Sequence, residues 1–216
     1  MGVRPKKRRY DSTRRQEAAS ATRRAVLDAA RQTFVERGYL AATMSSIAKR
    51  AGVAPDTVYA AVGNKPALFR LLVETAISGS DQPIAALERD YVRAIQEETA
   101  PRKKLQLYAH AICVIHGRLA PLFKVLQSAT SADPALASLW SEISERRAKN
   151  MRLFARDLQA TGGLRAGLDV DETADIIWST NSAEFYLLLV DQRGWSPARF
   201  ERWLADAWAR LLLARP

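Results

Sequence analysis

An all-α fold in two unequal parts is what this chain's pattern predicts, and three observations predict it. Ala, Leu and Arg abound while alternating β-branched residues are rare, a mix that favours helix almost throughout. Gly, Pro, Asn and Asp gather in short breaks between segments of helical length. Charge also separates the chain. Residues 1–70 hold 15 Lys/Arg against 5 Asp/Glu, whereas residues 71–216 hold 18 of each. The first part is suited to a polyanion and the second, neutral part has another task.

Composition narrows the classes. With 216 residues, 48% hydrophobic and 26% charged, the chain can bury a real core and reads as a soluble globular protein. Its single cysteine, Cys113, excludes an internal disulfide and fits a reducing cytoplasm. No uninterrupted apolar run approaches the roughly 18 residues of a membrane span. The longest, Phe185 to Val190, is far shorter, and no partnership with a membrane is expected. The basic N-terminus has no apolar stretch behind it and does not read as a secretory signal.

In chain order, residues 1–20 carry Arg8, Arg9, Arg14 and Arg15 with almost nothing to bury, and read as a disordered basic arm. Residues 21–66 follow as a three-helix domain. Its first helix spans about Thr22 to Arg37, with Val26, Ala30 and Phe34 as an apolar stripe and Gly38 as its stop. Thr43 is a natural N-cap for Met44 to Ala51, and Gly52 ends that helix. Pro55 opens a helix to Val62, because proline suits the first helical turn. Gly63-Asn64 breaks it, and Pro66 to Ile77 is helical again. Residues 67–216 form the larger helical domain. Its expected helices are Pro83–Glu98, Arg102–Ile115, Pro121–Ala129, Pro134–Ala160, Val170–Asp191 and Pro197–Leu213.

Residues 44–62, MSSIAKRAGVAPDTVYAAV, satisfy several coupled constraints. Ile47, Ala51, Val53, Val58 and Ala61 are apolar where two short helices crossing steeply must touch. Ala48 is small at the close approach, and Gly52 sits where the turn needs a left-handed backbone. This is a helix-turn-helix, whose second helix enters the major groove of duplex DNA.

Thr43, SIAKRAGVAPDTVYAAVGNKPALFRLLVE, the preceding Arg37-Gly38-Tyr39 and the Gly63 to Phe69 segment together resemble the DNA-binding domain of the TetR family of bacterial repressors. The resemblance implies a two-domain helical homodimer released from its operator by a small molecule. It implies that Thr43 caps the second helix and touches a phosphate, as do Tyr59 and Lys65. Pro55, Asp56, Thr57 and Tyr59 would lie on the recognition helix. Ala60 and Val62 depart from the His or aromatic residue and the Phe that many members carry there. Asp56 either complements the helix dipole or accepts from a cytosine amino group. In related regulators residues before the first helix reach phosphates or the minor groove, a role Arg8, Arg9, Arg14 and Arg15 would fill.

The neutral part shows no phosphate-binding glycine loop, no Gly-x-Ser-x-Gly elbow and no His-Glu-x-x-His, so no catalytic residues and no cofactor are expected. His110, Cys113 and His116 fall on one broad helical stripe, which suits a pocket wall better than a metal site, and no metal is assigned. Aromatic and polar residues mingle on these helices as they do in small-molecule pockets. Tyr108, His110, Cys113, Trp178 and Asn181 are the candidate ligand-binding residues. Asn181 stands out because a buried amide needs a partner. Phe200, Trp203, Leu204, Ala207, Trp208, Leu211 and Leu212 repeat at helical spacing, and the last two helices read as a homodimer interface. The whole reads as a cytoplasmic, ligand-responsive DNA-binding regulator, a repressor on a near-palindromic operator. A sequence-tolerant architectural DNA binder and an enzyme on a helical scaffold stay open beside it.

Overall fold

The chain forms two compact units that part between Leu72 and Val73. The computed structural model describes residues 7–214, with side chains from Arg14 onward. Among the described residues the fold is all helical apart from one isolated bridge between Leu164 and Leu213.

The first unit holds α1 (Lys7–Ala41), α2 (Met44–Ala51), α3 (Pro55–Val62) and the start of α4 (Lys65–Ser78). Its core gathers Val26, Ala30 and Phe34 of α1, Ile47 of α2, Val58 of α3 and Leu68 and Phe69 of α4, all fully buried. Phe69 meets Phe34 and Tyr39 edge-on, with ring centroids 5.1 and 5.5 Å apart. Such contacts add to area burial.

α1 starts earlier than the sequence suggests. Residues 1–20 read as a disordered arm, yet the backbone is helical from Lys7. Residues 14–21 are all exposed, so packing does not order them. They extend a helix already nucleated by the buried turns around Val26, where each added residue gains a hydrogen bond, and Arg, Gln, Glu and Ala are strong helix formers. At the other end Gly38, with φ +74° and ψ 168°, breaks the helix where the sequence places its stop.

The second unit holds the rest of α4, a 3₁₀ turn (Ala86–Glu88), α5 (Asp90–Glu97), α6 (Pro101–Ala129), α7 (Pro134–Ala160), α8 (Val170–Thr180), α9 (Ala183–Tyr186), a π-helical stretch (Leu187–Gln192) and α10 (Pro197–Leu212). α6 is the central element, contacting α5, α7, α9 and α10, while α7 packs on α8. The α7–α8 loop is tied to the end of α10. Arg165 N–H donates to Leu212 O at 2.9 Å and Ala214 N–H to Gly163 O at 3.0 Å.

Four expected helices change. Arg102–Ile115 and Pro121–Ala129 are one helix, α6. Pro121 removes only the donor that Gly117 O would take, and buried Leu119, Leu122, Phe123 and Leu126 hold the helix through it. α6 is also long and apolar enough to cross a membrane, a length that the count of uninterrupted apolar residues missed; 67% of its apolar window is buried, as in a core helix. Val170–Asp191 is instead broken at Asn181-Ser182, where Ser182 caps a new helix by accepting from Phe185 N–H. Pro83–Glu98 shortens to the 3₁₀ turn and α5.

Candidate DNA interface and effector cavity

In the first unit the turn chemistry builds the helix-turn-helix locally. Ser46 N–H donates to Thr43 Oγ1 at 3.1 Å and Thr43 N–H donates to Ser46 Oγ at 3.2 Å, a reciprocal capping box. Gly52 stands at φ +69°, ψ 30°, and its N–H turns back to the end of α2 while Val53 N–H donates to Ala48 O at 3.1 Å. Only glycine adopts this left-handed corner without cost. Ala54 is extended and Pro55 opens α3. Val58 and Val62 turn inward, Pro55, Asp56, Tyr59 and Ala60 are exposed, and Thr57 is half-buried. Asp56 lies in the first turn of α3, where its charge complements the dipole.

Three side chains brace this arrangement. Arg23 of α1 donates to Ala61 O at 3.1 Å. Arg50 of α2 pairs with Glu36 of α1 and holds that carboxyl below its usual range. Lys65 opens α4, with Nζ 3.4 Å from Leu40 O and 4.3 Å from the centre of the Tyr39 ring. Arg14 and Arg15 are exposed on α1, whereas the side chains of Arg8 and Arg9 lie outside the described residues.

In the second unit α5, α6 and α7 and the ends of α4 and α8 enclose a cavity of about 170 Å³. Its apolar wall includes Tyr91, Ile112, Leu119, Ile143 and Phe154. One hydrogen-bonded cluster supplies several of its polar groups, beside Arg89, Gln96, Arg146, Asn150 and Asp157. Asn181, 2% exposed, is the hub. Its Nδ2 donates to Tyr108 Oη at 2.7 Å and meets Met151 Sδ at 3.0 Å. Its Oδ1 accepts from Arg147 Nη2 at 2.7 Å, and its backbone O lies 2.8 Å from His116 Nε2. The same Arg147 nitrogen donates to Trp178 O at 2.6 Å.

Burial sets the charge states. It pushes the His116 imidazole down to about 4 and raises the Tyr108 phenol, and it lowers Arg147 from its ordinary value. His116 is therefore neutral near pH 7. Because its Nε2 donates to Asn181 O, its Nδ1 is a bare acceptor. Among the described residues that buried nitrogen has no hydrogen-bond partner.

Of the sequence candidates, Tyr108 and Asn181 line this cavity together, and His110, Cys113 and Trp178 do not. The stripe argument fails on angle. At about 100° per residue His116 stands some 120° from His110 around α6. That turn puts His116 beside Tyr108, Ile112 and Leu119, while His110 and Cys113 face α10. His110 Nδ1 is 3.1 Å from Glu201 Oε1, and Cys113 Sγ donates to Pro197 O at 3.2 Å. Trp178 lies under the Arg147 guanidinium at 5.1 Å and contributes through its carbonyl. Sequence reading missed Arg147 altogether. Its only signal is its place in Glu145-Arg146-Arg147, a run that looks like a solvated face.

The last helices divide their apolar residues. Phe200, Leu204, Trp208 and Leu212, expected at a subunit interface, are fully buried within their own chain, because α10 packs along α6. Trp203, Leu211 and Leu188 remain exposed, and Ala207 is half-exposed.

Residues 26–72 match the family model described as bacterial regulatory proteins, tetR family. The HTH-type transcriptional regulator BetI of Agrobacterium fabrum is 38% identical over 88 residues, 41% of this chain and 39% of that protein. The chain thus matches about two fifths of the length of that curated relative. The structure of NalD, the secondary repressor of the MexAB-OprM multidrug efflux pump in Pseudomonas aeruginosa, aligns at 19% identity over 93% of this chain and 100% of that one, with a TM-score of 0.70. FadR of Bacillus subtilis, solved with stearoyl-CoA, aligns at 22% identity over 87% and 97%, with a TM-score of 0.67. At these identities the two structures speak for the fold. Residues 26–72 thus resemble the DNA-binding part of the bacterial regulatory proteins of the tetR family.

Proposed function

We propose that this protein is a ligand-responsive transcriptional regulator, a repressor released from its operator by a small molecule. The observation that carries the reading is the capped helix-turn-helix with the polar face of α3 left exposed. Thr57 of α3 faces base edges and Asp56 complements the dipole of α3, while Thr43, Tyr59 and Lys65 hold phosphates and fix register. Lys65 supports this. A cation at a helix N-terminus has the wrong sign for the dipole, and a phosphate beside it satisfies both. Arg8, Arg9, Arg14 and Arg15 add counterion-releasing contacts along the backbone.

Two subunits joined through Trp203, Leu211 and the neighbouring exposed apolar residues present two α3 helices to a near-palindromic site in the cytoplasm. The effector occupies the cavity around Asn181. α4 runs unbroken across the division at Leu72/Val73 and is the lever between effector and DNA. Release requires the effector to favour the state with the wrong helix spacing, and about 5.5 kcal/mol of preference moves that balance from 1:99 to 99:1.

Fluorescence anisotropy tests the reading. DNA from upstream of the gene is titrated against shuffled DNA of equal length across a salt series. A preference of about a thousandfold at two subunits per site is expected. Equal affinity for both DNAs means a remote operator or an architectural binder, which selection of sites from random DNA tells apart.

A further inference from the structure

The charges around the cavity are mostly positive. Arg89, Arg146 and Arg147 line it, against the single carboxylate of Asp157. Asp157 is already taken, since Lys104 Nζ lies 2.7 Å from its Oδ2 and donates also to Ile95 O at 2.6 Å. Arg146 is answered by Glu74 at 2.7 Å. Arg147 has no carboxylate within ion-pair distance among the described residues, and Glu184 acts on it only from beyond that distance; both of its acceptors are neutral carbonyl oxygens and both take the same Nη2. Nη1 and Nε keep their donors, in a setting where burial already penalises the charge. A guanidinium held this way is an anion site awaiting its anion.

His116 adds a second demand. Its Nδ1 is a buried acceptor without a donor, on a residue only 4% exposed. That nitrogen is closed to solvent, so a ligand meets it only as the cavity reshapes around the ligand, and then suits it with a hydroxyl or N–H, because a bare acceptor pressed against an anion is repulsive. Arg147 and His116 both bond Asn181, so the two demands fall on one end of the cavity. The remaining wall is mainly aromatic and aliphatic, with Gln96 and Asn150 as further polar groups, and about 170 Å³ is the scale of one aromatic ring.

We propose that the effector is a small amphiphilic carboxylate, of single-ring size, that also carries a hydroxyl: the carboxylate pairs with Arg147, the hydroxyl donates to His116 Nδ1, and the ring lies among Tyr91, Tyr108 and Phe154. The proposal rests on reading this cavity as the effector site. A quaternary ammonium is disfavoured, because the arginines lining the cavity repel it and the carboxylate of Asp157 is bound to Lys104.

Calorimetry on the full chain without DNA tests it, with 2-, 3- and 4-hydroxybenzoate as probes. The corresponding hydroxybenzyl alcohols, methoxybenzoates and choline serve as comparisons. At least one hydroxybenzoate is expected to bind at least about tenfold more tightly than its alcohol and its methoxy ether. Arg147→Gln should remove the preference over the alcohol, and Arg147→Lys should restore part of it. His116→Leu should remove the preference over the ether. Circular dichroism of each variant identifies any that fails to fold. In that case the wild-type comparison of acid, alcohol and ether decides alone. Equal binding of acid and alcohol, tighter binding of choline, or no binding by any hydroxybenzoate overturns the proposal. The regulator reading fails separately. If a hydroxybenzoate binds but leaves the anisotropy of a protein–DNA complex unchanged, the site stands and ligand-controlled release does not.

Discussion

Lys65 and Thr57 separate two kinds of contact that one affinity measurement would merge. Lys65→Ala is expected to weaken specific and random DNA alike and to reduce the salt slope by about one, as the loss of a phosphate contact does. Thr57→Ala should change base preference, read by selection from a randomised site. At Asn181 the expected cost is structural. Asn181→Ala strips partners from Tyr108 and Arg147 and should cost about 2–4 kcal/mol in urea unfolding. His116 gives a pH signature. Its folded pKa of about 4 lies below the unfolded value of 6.5, so the unfolded chain takes the proton first. The stability it contributes is intact above pH 6.5 and is lost as pH falls towards 4. Between pH 7.5 and 4.5 the loss from this residue is about 2–3 kcal/mol, and His116→Gln should unfold with a correspondingly smaller drop.

The elements show where sequence is legible. The helix-turn-helix can be read because its determinants are short-range: Thr43 caps three residues ahead, Gly52 needs its own φ, and Pro55 needs only the first turn. Gly52→Ala meets no atom within 4 Å, so its expected cost of about 1–2 kcal/mol is purely that of the left-handed backbone. Differential scanning calorimetry of the first unit's transition measures it. Where tertiary packing overrides local chemistry, legibility ends. Pro121 has the same signature as Pro55 and Pro134, yet it sits mid-helix because its neighbours are buried. Asn181 was readable as a buried amide in need of a partner, but the partner was not. Arg146 and Arg147 are identical in sequence context. Only the rotation of α7 sends one to Glu74 and the other to Asn181.

On the scale of the molecule, the charge asymmetry and the exposed apolar residues set expectations. Removing residues 1–20 should weaken DNA binding and flatten its salt dependence; an unchanged slope in the truncated protein would refute the role given to the basic segment. Trp203→Asp with Leu211→Asp should convert a dimer to a monomer in analytical ultracentrifugation while helicity is retained, since neither side chain belongs to the buried face of α10.

The hub at Asn181 also bears on how such a protein can diversify. The groups that would choose the ligand's polar end also knit α6, α7 and α8 together, so a change there alters stability in the same step. Leu87 and Leu153 line the same cavity but are 59% and 49% exposed and belong to no part of that cluster. New ligand preferences can accumulate at these rim positions at little structural cost, whereas the headgroup preference is inherited with the fold.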